Sequence, residues 1–266
     1  MTGCRFNAKN TLPKNYLGLA EKAGAKVFPL TTVEKIEELA DGSWKITAQK
    51  STAWFGGKRT FTAGQVVMAA GTFNTQKLLH RHRTEGTLPK LSAALGRLSR
   101  TNSESLVGTI MPHSNTIDYS LGSAITSSFF PEPHTHVEPV RYGKGSNLMG
   151  LLQTIMTDGS SSKLRRKQWW KAFFANPYLL KRILDVRRWS ERTVIALTMQ
   201  NVDSHISVKP KRSWFGWHLT STNDPEHPNA TYIPAANEVV RRIADKHDGI
   251  AGGHIGDLID APFTAH

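Results

Sequence analysis

The run QVVMAA at Gln65–Ala70, followed through Gly71 by TFNTQKLL, constrains this chain more than any other segment. Continuous apolar character over that length predicts a strand buried on both faces of a sheet, and the residues after Gly71 predict a helix to about His82. Such a helix start offers unpaired N–H groups and partial positive charge, so Gly71–Thr75 can face a phosphate or a carbonyl oxygen. A dinucleotide fingerprint needs three glycines in the pattern GxGxxG, and this segment has one. GKGSNLMG at Gly143–Gly150 also fails, with Leu148 in the third glycine's place. Spacing therefore leaves both cofactor contact and an ordinary strand–helix turn open.

The elements around this motif predict a layered domain. TLPKNYLGLAEKAGA, Thr11–Ala25, reads as a helix with Pro13 in its first turn, an apolar stripe at Leu12, Tyr16, Leu19 and Ala20, and Gly24 at its end. Lys26–Leu30 reads as a short strand. Val33–Leu39 and Trp44–Gln49 flank Asp41-Gly42, a hairpin signal. From about Lys90 Ser, Thr, Gly and Pro become frequent, and strand-like runs appear at Ser105–Met111, Ala124–Phe130, His134–Tyr142, Val194–Gln200, His205–Lys209 and Trp217–Thr222. These predict an antiparallel sheet, closed by a helix at Pro234–Lys246 with Gly249 just beyond it. The expected fold class is therefore α/β plus α+β.

Charge narrows the partners. The net charge is +13, and Lys163–Arg192 holds ten Lys or Arg against Asp185 and Glu191, hence +8 of that total. Trp169, Trp170, Phe173, Phe174, Tyr178 and Trp189 are interleaved with these cations. The mixture suits a helix lying in a membrane interface, and also a surface helical hairpin broken at Asn176-Pro177 with its aromatics packed on the body. No RNA-binding motif accompanies the run, and the remaining chain is only mildly basic, so nucleic acid is not an expected partner. No stretch reaches the roughly 18 consecutive apolar residues of a spanning helix, and no signal peptide is evident at the start. The single cysteine, Cys4, excludes an internal disulfide framework, so the chain is expected in the cytoplasm or at a membrane periphery.

Two segments carry candidate chemistry. In HTHVEPV, residues 134, 136 and 138 share one face of a strand, which brings two imidazoles and the Glu138 carboxylate together. A polar strand face, a catalytic carboxylate and a two-histidine, one-carboxylate metal site all fit that pattern, although three consecutive ligands on a flat strand chelate poorly, and no metal is expected. The tail GGHIGDLIDAPFTAH ends on His266, preceded by small and apolar residues more like the approach to a buried site than a solvated terminus.

Four segments in order, MTGCRFNAKNTLPKNYLGLAEKAGAKV, VVMAAGTFNTQKLLHRHRTEGTLPKLSAALGRLSRTNSES, HTHVEPVRYGKGSNLMG and APFTAH, resemble the cholesterol-oxidase branch of the glucose–methanol–choline flavoprotein oxidoreductases. The resemblance extends over nearly the whole chain. It implies a partial FAD-binding Rossmann-like domain at 1–104, an antiparallel sterol-binding domain at 105–253 with the basic aromatic insertion at 160–193, and a return toward the FAD domain at 254–266. It also implies FAD as cofactor, a sterol 3β-hydroxyl as substrate, oxygen or another electron acceptor, and in some members a shift of the ring double bond. The family's GxGxxG loop would precede Met1 and its glycine-rich and DGS segments would follow His266, so the chain reads as an internal piece. On that ground the isolated chain is expected to be colourless, to oxidise no sterol, and to aggregate or behave as a loosely packed state.

Carried over by position, the resemblance implies that Val33 lies along the adenine, that Ala70 and Gly71 meet the cofactor, and that Asn102 lies near the isoalloxazine. It implies Glu138 as the base at the sterol ring and His266 as the group beside the hydroxyl being oxidised. These roles suit the residue types. Loss of a hydride from a secondary alcohol needs the hydroxyl proton bound or removed, and moving a double bond into conjugation needs a base that takes and returns a carbon proton. The opposing expectation is a catalytically inactive remnant, or a basic membrane-surface binding protein.

Overall fold

The structure is a computed structural model that describes residues 6–214 and 216–260. It is a mixed α and β molecule with antiparallel sheets, divided into two compact units: residues 6–99 with 206–222, and residues 100–205 with 223–260.

In chain order, a π-helical turn at Pro13–Leu17 leads into α1 (Gly18–Lys22), followed by β1 (Thr31–Glu38), β2 (Trp44–Lys50), β3 (Lys58–Ala63) and α2 (Gly71–Thr84). Next come β4 (Ser99–Arg100), β5 (Ser105–Ile110), β6 (Phe129–Glu132), β7 (Thr135–Val140), β8 (Gln153–Ile155), α3 (Ser162–Ala175), α4 (Pro177–Ile183) and α5 (Trp189–Arg192). The chain continues through β9 (Thr193–Gln200), β10 (His205–Ser213), β11 (Gly216–Asn223), α6 (Pro234–Lys246) and β12 (Ile250–His254).

The first unit is built on the antiparallel meander β1-β2-β3. The Asp41-Gly42 hairpin forms as expected, with Leu39 N donating to Ser43 O at 2.8 Å and the Asp41 carboxylate accepting from Ser43 N and Oγ. Helix α2 is tied to β1 by His82, whose Nε2 accepts the Ile36 N–H at 2.9 Å with the ring fully buried. Among the described residues of this unit, the buried apolar side chains are Ile36 and Ala48.

Two sequence expectations fail in this unit. Gln65–Ala70 is not a strand, and Lys26–Leu30 is turn and irregular chain. Apolar composition favours burial, but a strand also needs a ladder partner, and no described strand pairs with QVVMAA. Instead Val66 and Met68 turn into a groove of about 640 Å³ that they share with Trp44, Leu79 and Leu91, while Val67 is 88% exposed. The helix forms at Pro13–Lys22 within its predicted span, with Leu12, Tyr16 and Leu19 of its apolar stripe exposed and Ala20 half-buried.

The second unit is a six-stranded antiparallel sheet in the order β6-β7-β9-β5-β12-β8. Strands β5, β7 and β9 lie where the sequence placed them, whereas the expected run Ala124–Phe130 yields only the Ile125–Val140 bridge and the start of β6. Helix α6 matches its predicted span. Its residues Ala236, Val240 and Ala244 recur every four positions and are buried, and the first two pack with Val107, Val137 and Ala196 on one sheet face. The start of α6 is fixed by Asp158, which accepts from Tyr232 Oη and Asn237 Nδ2 and pairs with Arg241. Burial pushes the Asp158 carboxyl up, but hydrogen bonds from Arg241, Asn237 and Tyr232 outweigh it and hold the group below its ordinary range.

The opposite face is covered at the β12-β8 end by the predicted basic hairpin. It breaks at Asn176-Pro177, and Trp169, Phe173, Leu179 and Ile183 pack on Ile110, Ile155 and Ile250. Trp189, in α5 beyond the hairpin, packs on the body more deeply than the other aromatics of the run: it is 1% exposed, its Nε1 donating to Gln153 Oε1 at 2.7 Å. A Cβ at Gly150 would stand 2.7 Å from the Trp189 ring, so only glycine fits beside it. No helix among the described residues is long and apolar enough to cross a membrane.

Candidate functional site

The register of β7, β9 and β5 builds the candidate site. Directly paired residues share a face, so Glu138, Leu197 and Leu106 form one row across the sheet, and His136 and Met199 form the next. The alternating row, Val137 and Thr198, is buried on the α6 side. Glu138 and His136 therefore stand on the face that α6 leaves uncovered, with side chains 21% and 27% exposed. His136 Nε2 lies 3.8 Å from Glu138 Oε1, too far for a hydrogen bond, and its ring stacks on Phe130 at 4.8 Å.

Two hollows flank the Glu138 row. A hollow of about 760 Å³ on the His136 side is lined by Asn102, Phe130, His134, His136 and Met199. Asn102 is held there by its carbonyl, which accepts from Gln200 N at 3.0 Å, and by its Nδ2, which donates to Glu104 Oε2 at 3.3 Å. The second hollow, about 150 Å³, is lined by Leu106, Tyr142, Met149, Leu152, Gln153 and His254 among others. His254 Nδ1 accepts the Gly256 N–H at 2.8 Å, and burial keeps the imidazole below its ordinary pKa, so the neutral ring carries its proton on Nε2. Glu138 thus sits on a mainly apolar surface between a polar hollow and an aromatic-lined one.

The structure brings Asn102 and Glu138 onto one sheet unit. Val33, Ala70 and Gly71 belong to the other unit. Val33 lies at a register irregularity of β1 and is 39% exposed. Ala70 is the N-cap of α2 and makes no side-chain capping bond, and Gly71 has φ of +76° with nothing within 4 Å of where a Cβ would stand. With no acid in that first turn, the helix presents uncapped N–H groups to open space, a cradle that fits an anionic or carbonyl-bearing group such as part of a flavin nucleotide. His266 lies outside the described residues. Among the described residues, no three or more His, Cys, Asp or Glu side chains converge as a metal site.

Sequence reasoning missed His254 and Gln153, and did not place Trp189 beside Gln153. The motif GGHIGD offered only a weak signal for the first. The pairing of Trp189 with Gln153 had none, because β8 and α5 meet only through the folded sheet.

No protein-family profile matches the chain. Among curated proteins it is similar over its whole length to a cholesterol oxidase of Mycobacterium tuberculosis, at 52% identity over 274 aligned positions covering 47% of that protein. It is likewise similar to a cholesterol oxidase of Acinetobacter baumannii, at 38% identity covering 49% of it. The chain spans about half the length of the curated relatives it matches.

Proposed function

We propose that this chain, similar to cholesterol oxidases along its entire length, forms part of a FAD-dependent enzyme that oxidises a sterol 3β-hydroxyl to the ketone. The meander β1–β3 with α2 is read as part of a Rossmann-like FAD-binding domain, and the six-stranded sheet as the sterol domain. Val33, Ala70 and Gly71 would hold the nucleotide side of FAD and Asn102 would lie near its ring. Bound there, the flavin supplies the hydride acceptor, with oxygen or another acceptor taking the electrons onward.

The observation that carries the reading is Glu138, a carboxylate standing on a half-buried, largely apolar sheet face beside Leu197 and Leu106. A flat hydrocarbon lying on that face would exclude water from the carboxylate. Glu138 then takes the proton from the ring carbon next to the oxidised one and returns it two carbons away, moving the double bond into conjugation. His266 is assigned the hydrogen bond to the reacting hydroxyl. Sterols partition into bilayers, and peripheral membrane contact through 163–192 belongs to the same reading.

The test is a chimera in which this chain replaces the matching half of the Mycobacterium tuberculosis relative. A chimera that binds flavin and turns over sterol is the expected result. Glu138→Gln should lower conjugated-enone formation by about 10²-fold or more while leaving oxidation, followed by peroxide or reduced acceptor, much less affected. A flavin-loaded chimera that is inert toward sterols, or a Glu138→Gln variant with both rates intact, overturns the assignment.

A further inference from the structure

Helix α3 divides its aromatics between two faces. Trp169 and Phe173 point inward, with Trp169 Nε1 donating to Thr154 Oγ1 at 2.8 Å. Trp170 and Phe174, one turn apart, point outward, are 52% and 73% exposed, and stack at 5.6 Å with an interplanar angle of 24°. Tyr178 on α4 is 63% exposed, with Lys181 Nζ 5.5 Å from its ring centroid. Around these rings stand the exposed cations Lys163, Lys167, Lys171, Lys181 and Arg182. Among the described residues no carboxylate pairs with any of the five; the segment's own acids, Asp185 and Glu191, are engaged by Arg187, Arg188, Lys144 and His113.

The face is held firmly from behind. Arg165, fully buried, donates from Nε to Asp257 O at 2.7 Å and also bonds Gly159 O and Asp260. Ser161 caps the helix by accepting from Leu164 N. The exposed rings therefore sit on an anchored two-helix platform.

We infer that this outer face of α3–α4 is a docking surface for an anionic phospholipid bilayer, with Trp170, Phe174 and Tyr178 at headgroup depth and the five cations on lipid phosphates. A bilayer interface is the partner that accepts large aromatic rings and unpaired cations together, and long Lys stems let the charge stay in water while the rings descend. Single-stranded nucleic acid fits less well, because Trp170 and Phe174 stack on each other instead of offering free faces to bases. A second copy of the chain would set like charges against like. The inference deepens the sterol reading, on which its purpose rests, whereas the binding chemistry stands without it.

The test is flotation of the 266-residue chain with sterol-free vesicles on a density gradient, in which aggregates sink and only vesicle-bound protein rises, so that binding and sterol turnover fail separately. Vesicles of equal parts phosphatidylcholine and phosphatidylglycerol should bind the protein, phosphatidylcholine alone should bind it weakly, and added salt should release it. Each of Lys167→Glu and Lys171→Glu should weaken binding at least about fivefold. The double variant Trp170→Ser/Phe174→Ser, with an unchanged far-ultraviolet spectrum, should weaken it by about tenfold or more. Equal binding of wild type and both sets of variants, or no preference for anionic vesicles, overturns the inference. So does a surface satisfied otherwise: oligomers that dissociate on Trp170→Ser/Phe174→Ser, or an oligonucleotide that binds more tightly than the vesicles.

Discussion

Around β5 and β12 the six-stranded sheet is covered on both faces, by α6 on one side and by α3 and α4 on the other. Among the described residues the meander β1–β3 carries α2 and a groove, and leaves Trp54, Phe55 and Val67 more than 85% exposed, at 92%, 93% and 88%. Both units draw on a similar apolar vocabulary. They differ in whether the topology supplies a second layer. A sheet stabilises by what it buries, so the six-stranded unit is expected to hold most of the chain's folding free energy, and the meander unit most of its tendency to associate.

The largest effect should come from the covered core. Trp189→Ala removes a 1%-exposed ring and orphans Gln153, and should cost about 3–5 kcal/mol, seen as a lower denaturant midpoint for the six-stranded unit. If the loss is below about 1 kcal/mol, the asymmetry between the units is misjudged.

Next comes His82→Leu in the meander unit, which strands the buried Ile36 N–H and should cost about 1–3 kcal/mol. Hydrogen exchange in β1 and α2 should quicken while β5 and β9 stay protected. Acceleration in both units would mean that they unfold as one.

Acid should separate the units further. Burial holds His80 and His82 below the ordinary 6.5, with Arg83 adding to the effect at His80. Their contribution is full above about pH 6.5 and is lost as pH falls toward the depressed folded values, because the folded state must then charge a buried ring. In the other unit burial depresses His254 but raises the Asp257 carboxyl, and a raised carboxyl adds stability as pH falls. From about pH 7.5 to about pH 5.5, exchange at constant intrinsic rate should therefore accelerate more in β1 and α2 than in β12. The reverse order would refute the pairing of signs.

The smallest effect belongs to the surface. Glu238→Gln breaks the exposed i,i+4 pair with Arg242 and should shift stability by no more than about 0.5 kcal/mol by thermal melting.

Elements whose signals are local were legible in the residues. Pro234 and Gly249 bracket α6, Asp41-Gly42 turns the β1–β2 hairpin, and Asn176-Pro177 divides the basic hairpin where the chain divides. Alternation in HTHVEP predicts His134, His136 and Glu138 on one strand face; the register bears this out for His136 and Glu138, whereas His134 lies in the turn between β6 and β7. QVVMAA shows the opposite case. Its composition asks for burial, but a ladder is a relation between segments, and no described partner completes it.

Residue order alone settled the Asp41-Gly42 and Asn176-Pro177 turns, the span of α6, the charge of the α3–α4 segment, and a similarity to known proteins that runs the length of the chain. Folding in three dimensions decided the strand order β6-β7-β9-β5-β12-β8, the burial of Trp189 against Gln153, and the division of α3 between a core face and a cationic aromatic one. The physical reason is range. Backbone propensity and capping act within a few residues, whereas burial and register depend on contacts between segments that are distant in the chain.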